Sequence, residues 1–139
     1  MRTNGLPRGL VIAALLGSAP IHASPTSPLE IQVGFEAAAR ETAPDFAGFS
    51  NRRGEQFFKA RHGGEWACAS CHTNNPLVPG THARTGKRIA ALAPSANPKR
   101  FSDAGHVDKW FKRNCNDVLD RPCTAQEKGD VLEYLMSLK

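Results

Sequence analysis

Residues 65 to 74 read EWACASCHTN, with two thiols three positions apart and an imidazole directly after the second. As a bare pair, Cys68-x-x-Cys71 could be a thioredoxin-like redox couple, half of a zinc site or a short disulfide. The adjoining His72 changes the chemistry, because Cys68-x-x-Cys71-His72 is the attachment signature of a c-type haem. On a helix the two sulfurs stand about one turn apart, so both can form thioethers to one porphyrin edge. His72 follows Cys68 by four positions and projects beneath the ring, where its imidazole can bind iron. A zinc site would need Cys115 and Cys123 as its second pair. A thioredoxin-like couple would need a βαβ setting, which the chain does not suggest.

The elements that must hold this motif are few. The chain has 139 residues, enough for one domain. Residues 1–23 read as a secretory signal: Arg2 and Arg8 charge its start, an apolar run covers Leu10 to Gly17, and Ala23 ends a small-residue stretch. Residues 24–139 would then be the exported, periplasmic cytochrome domain. The apolar run is too short to cross a bilayer, and no membrane span is expected in the mature chain. Losing Arg2 and Arg8 with the signal lowers the formal charge from +5 to +3. That scattered excess argues against a nucleic-acid partner, while a patch that docks an acidic redox protein remains open.

An amphipathic helix is predicted near Leu29 to Glu41, ended by Pro44. A second is predicted from Asn51 to His62 with Ser50 as N-cap, stopped by Gly63-Gly64. Residues 76–98 are rich in Pro, Gly and small side chains, and a long ordered loop of that kind usually wraps something. Ser102 can cap a third helix, and Thr124-x-x-Glu127 is a capping box for the last. That last helix should bury Val131, Leu132, Leu135 and Leu138. No stretch alternates as a strand, so the fold class is all-α. A haem would supply much of the core that so small a domain lacks.

Gly54-x-x-x-Phe58, then C-x-x-C-H, then a closing DVLEYLMSL helix together resemble class I cytochrome c. The resemblance implies that Gly54 and Phe58 cross the last helix at Val131 and Tyr134. The stretch ARHGGEWA before Cys68 is longer than is usual there. Electron-carrying members close the second iron face with methionine. Here the methionines are Met1, lost with the signal, and Met136, at a core position of the closing helix. His82 and His106 could serve instead, or lie at the surface. Val107, Trp110, Phe111 and Asn114 share one face of the third helix, with Lys109, Lys112 and Arg113 outside. Asn114 on such a face needs a partner, which could be iron, or it could cap the helix end. In an exported chain whose other two cysteines hold haem, Cys115 and Cys123 would form a disulfide that fixes where the helix ends.

CASCHTN, PGTHARTGKRIAALAPSANPKRF and WFKRNCNDVLDRPC carry a narrower resemblance, to the sphaeroides haem protein (SHP) type of class I cytochrome c. It implies one covalent haem c, a disulfide, and an asparagine as sixth ligand: Asn114 by position, with Asn116 as fallback. Trp110 and Phe111 would line the pocket. It further implies that the asparagine leaves on reduction so that O2, NO or CO can bind, with electrons from a dihaem or other c-type cytochrome. An amide oxygen is a hard, weak ligand that suits ferric better than ferrous iron. Arg84, Lys87 and Arg88, with Lys99 and Arg100, could meet haem propionates or be solvated loop charges. The competing functions are an electron shuttle with a histidine sixth ligand, and an enzyme reducing O2, NO or peroxide. No acid–base pair for such catalysis stands out.

Overall fold

In a computed structural model of the chain, the described residues are 1 and 26–139. Residues 2–23 of the predicted secretory signal lie outside them. Helix α1 (Pro28–Thr42) opens with a capping box: the Glu30 amide donates to Ser27 Oγ, and the Ser27 amide donates to the Glu30 carboxylate. Ile31, Phe35 and Ala39, spaced by four, form its buried face. It gives way to extended Ala43, as expected of a residue preceding proline.

Helix α2 (Asn51–Lys59) begins at the Ser50 cap but is shorter than its sequence suggests. Ala60 is extended, and the chain turns at His62 and Gly63, both with positive φ. Helix α5 (Ala125–Ser137) is set by the Thr124–Glu127 capping box. Val131, Leu132 and Leu135 are buried along it, while Leu138 is half-buried just beyond its end.

The frame is the packing of α1 and α2 on α5. Helices α2 and α5 approach so closely at Gly54 that a Cβ there would stand 1.8 Å from the Asp130 carbonyl oxygen. Phe58 packs beside Tyr134, with ring centroids 5.7 Å apart. Asp130 is buried, and it is satisfied by the Ser50 amide and by Arg53 through Nε (2.8 Å) and Nη2 (2.9 Å). Met136 packs with Ile31, Phe35, Val107 and Leu132, the core role its spacing indicates.

The haem-motif helix, α3 (Cys68–His72), is a single short turn. After it the chain makes an antiparallel pair of two-residue strands, β1 (Gly80–Thr81) and β2 (Arg88–Ile89), within the expected loop. These strands are too short to leave a period in the sequence. Buried Pro76 anchors the loop by accepting from the amides of Leu92 and Ala93.

Helix α4 (Ala104–Leu119) differs from expectation at both ends. Its N-cap is Asp103, whose carboxylate accepts from the His106 amide at 2.6 Å. Ser102 instead donates to the Lys99 carbonyl. The helix continues beyond Asn114 to Leu119 and stops at Asp120 in the left-handed conformation. Among the described residues, no helix is long and apolar enough to cross a membrane.

Candidate haem site

Cys68, Cys71 and His72 line a cavity of about 970 Å³. That volume sits at the top of the range of cofactor sites, ~300–1,000 Å³. Its remaining wall is largely apolar: Phe58, Leu92, Phe101, Val107, Phe111 and Leu135 all face it. An apolar space of this size, opening beside two thiols and an imidazole, fits a covalently held tetrapyrrole.

Burial raises the Cys68 thiol to about 11. It also lowers the His72 imidazole to about 4, aided by the nearby charges of Arg100 and His82. His72 is therefore neutral at physiological pH, the form that ligates a metal. No cluster of three or more His, Cys, Asp or Glu side chains suited to a metal occurs among the described residues. Cys115 and Cys123 are bonded to each other, with S–S 1.97 Å, so they cannot complete a zinc site with Cys68 and Cys71.

The hairpin loop is pressed against α3. A Cβ on Gly80 would lie 2.0 Å from the Cys71 carbonyl oxygen, and the Ala83 amide donates to Cys71 Sγ at 3.3 Å. This places His82 in the loop that packs on the His72 helix. Its Nδ1 accepts from the amides of Arg84 and Thr85, both at 3.3 Å.

Helix α4 forms another wall. Val107, Trp110, Phe111 and Asn114 all line the cavity, so the shared face is present. Burial is uneven along it: Val107 is buried and Phe111 half-buried, while Trp110 and Asn114 are exposed. Asn114 lines the cavity on the same side of the helix as Phe111. It does not cap the helix end, since more than a turn follows it. Asn116 is exposed and does not line the cavity. Lys109 and Arg113, expected outside, both border the cavity, whereas Lys112 does not.

His106 lies exposed in the first turn of α4, and its Nε2 accepts from the Trp110 indole N–H at 2.8 Å. The Arg113 guanidinium lies over the indole ring, 5.1 Å from its centroid.

Among the cations, Lys87, Arg88, Lys99 and Arg100 line the cavity. Arg84 does not; its guanidinium lies over the Trp66 ring at 4.8 Å. Arg100 is half-buried and donates to the carbonyls of Ala90 (2.8 Å) and Ala91 (3.1 Å), with no carboxylate partner among the described residues. Trp66 is a wall residue that sequence reasoning missed. Its proximity to Cys68 was its only signal.

The Cys115–Cys123 bridge ties the late turns of α4 to the start of α5. Closing so short a loop stabilises the fold by about 2–3 kcal/mol in the chain-entropy model. Intact mass after alkylation should show no reactive thiol in holoprotein without reductant, and two after reduction, Cys115 and Cys123. Alkylation of both without reductant would show that the bridge does not form.

A helical wrap, a haem-sized apolar cavity and C-x-x-C-H at its wall define a monohaem c-type cytochrome. Residues 44–135 match a family model described as a domain of unknown function, DUF1924. The chain is 41% identical over 133 residues to the cytochrome c-type protein SHP of Cereibacter sphaeroides, covering 94% of this chain and 98% of that protein. A solved structure of oxidized SHP, described as an oxygen-binding cytochrome c, superposes with a TM-score of 0.72 at 41% identity. That match covers 81% of this chain and 98% of the other. Oxidized cytochrome c'' from Methylophilus methylotrophus also gives a TM-score of 0.72, at 37% identity, over 81% of this chain and 94% of that one. The chain belongs to the SHP and cytochrome c'' family, and its cofactor is one covalently bound haem c.

Proposed function

We propose that the protein is an exported, periplasmic cytochrome that accepts an electron and then binds O2, NO or CO. The bound haem supplies the redox iron and the position at which a diatomic binds. Cys68 and Cys71 hold it covalently, and the neutral imidazole of His72 ligates from the α3 side. Asn114 would be the residue that holds the second side of the ferric group through its side-chain oxygen. Such a hard, weak donor suits ferric better than ferrous iron, so the Asn114 amide would withdraw on reduction and leave room for a diatomic. The electron donor is a dihaem or other c-type cytochrome.

The observation that carries this reading is the placement of Asn114 on the cavity wall formed by α4, a helix separate from α3. The oxygen binding described for SHP supports it. His82 and His106 line the cavity as well, the second from α4; what separates them from Asn114 is that His82 belongs to the loop that packs on α3 and that His106 Nε2 is engaged with Trp110.

Asn114→Val, compared with His82→Ala and His106→Ala, tests the assignment. Only the asparagine change should convert the ferric absorption spectrum to that of an open iron while covalent haem is retained. Ferric affinity for an added small ligand should rise about tenfold or more, because a competing ligand worth ~1.4 kcal/mol suppresses binding tenfold. If a histidine variant opens the iron and Asn114→Val does not, the electron-shuttle reading replaces this one.

A further inference from the structure

The cavity mouth carries a charge distribution that the haem alone does not explain. Residues 84–113 contain eight of the chain's 18 Lys and Arg residues but two of its 13 Asp and Glu residues. Lys87, Arg88, Lys99, Lys109 and Arg113 each line the cavity and are exposed, which places them at its opening. None has a carboxylate partner among the described residues; two haem propionates would engage cations among Lys87, Arg88, Lys99 and Arg100, which leaves Lys109 and Arg113 of α4 for a partner. The paired cations, Arg40, Arg53, Lys59, Arg121 and Lys128, all lie off this opening. Asp103 and Asp117 also border the mouth, so the cations outnumber the acids there without excluding them.

Trp110 stands within this rim, 41% exposed, with its N–H held by His106 and its ring under Arg113. An aromatic fixed at both its edge and its face, with Lys109 and Arg113 beside it, has the makeup of an interface anchor.

We infer that this mouth is the docking face for an acidic protein surface, and that a docked partner covers the route by which a small ligand enters. Unpaired like charges repel one another until an oppositely charged surface neutralises them, which favours association with an acidic patch. The same residues border the opening next to Asn114, so occupation by a protein and entry of a gas compete for one space. An electron donor bound here must leave before the reduced protein takes up its ligand. The inference rests on the proposed gas binding only where CO entry serves as the readout.

Polyglutamate can stand in for the acidic surface, with ferrous holoprotein mixed with CO in stopped flow. At about 10 mM salt, where the Debye length is ~30 Å, polyglutamate should slow CO binding about tenfold. The effect should vanish at about 1 M salt, where that length is ~3 Å. Lys109→Glu with Arg113→Glu should abolish the slowing. Arg52→Glu with Arg61→Glu, which changes the net charge equally at exposed sites away from the mouth, should preserve it. Calorimetric titration of polyglutamate reports docking separately. Failure of reduced protein to bind CO without polyglutamate overturns the proposed function, and calorimetry on the two double variants then decides the docking face. Unslowed CO binding overturns the occlusion, and equal polyglutamate affinity in the two double variants overturns the location. If anionic phospholipid vesicles slow CO binding more than polyglutamate does, the face meets a membrane and the protein partner is wrong.

Discussion

Replacing Cys68 and Cys71 together by alanine should yield a chain without covalent haem and without a stable fold. All four cysteines line the cavity, but Cys68 and Cys71 are the free pair, whereas Cys115 and Cys123 are bonded to each other. Helix α4 faces the rest of the domain across the cavity, with Val107 and Cys115 as its buried residues. At roughly 24 cal/mol per Å³ of residual cavity, leaving a fifth of 970 Å³ unfilled would cost about 5 kcal/mol. That equals the whole stability of a weak domain, within the usual range of ~5–15 kcal/mol. Collapse or flooding of the space would lessen this figure but would sacrifice the placement of α4 and of loop residues 76–98. The checks are intact mass, far-UV circular dichroism and limited proteolysis. A compact, protease-resistant double variant would mean that the protein frame stands without its cofactor.

Gly54→Ala should cost 3 kcal/mol or more, beyond the ~1–3 kcal/mol usual for an overpacked core. The added Cβ would meet the Asp130 carbonyl oxygen at 1.8 Å, its carbon at 2.4 Å and Tyr134 Cβ at 2.9 Å. Two of these obstacles are backbone atoms of α5, so relief requires the helices to separate. Separation would also strain the Arg53–Asp130 ion pair. Gly129→Ala meets only the Phe49 ring among its nearest atoms, a side chain able to turn, and should cost less. Gly34 has nothing within 4 Å of the added Cβ. There alanine should stabilise by roughly 0.8–1 kcal/mol through helix propensity. Urea unfolding of the three holoproteins checks the order, and a Gly54 variant as stable as the Gly34 variant would refute the crossing argument.

The parts of this molecule that are readable from sequence are those fixed locally. Ser50 and Thr124 mark helix starts because their hydroxyls meet amides three residues on. The C-x-x-C-H spacing carries its geometry within five residues. The crossing of Gly54 and Phe58 with Val131 and Tyr134 is recognisable through the resemblance to class I cytochrome c, and the close approach at Gly54 agrees with it. Competition between neighbours is harder to read. Ser102 and Asp103 can both cap a helix, and the structure uses Asp103. Asn114 could have ended α4 on composition, yet the helix continues to Leu119 because the left-handed stop falls at Asp120. Periodicity identifies the shared face of Val107, Trp110, Phe111 and Asn114, which lines the cavity, but not what that face meets. Arg84 and Arg100 show the same limit. In sequence they are equivalent loop cations, whereas in space one stacks on Trp66 and the other is half-buried at the cavity.

The contact between Gly80 and α3 imposes an order on assembly. In the finished fold the hairpin leaves no room for even a methyl group against the Cys71 carbonyl, and the Cys68 thiol is shifted to about 11 by burial. A thiol held so far from ionisation is a poor nucleophile at neutral pH. Thioether formation at Cys68 is therefore expected before the hairpin closes. Haem-free chain held in denaturant should acquire thioethers faster than haem-free chain returned to native buffer; equal rates would remove that ordering. The loop would then seal bonds that were made in the open chain.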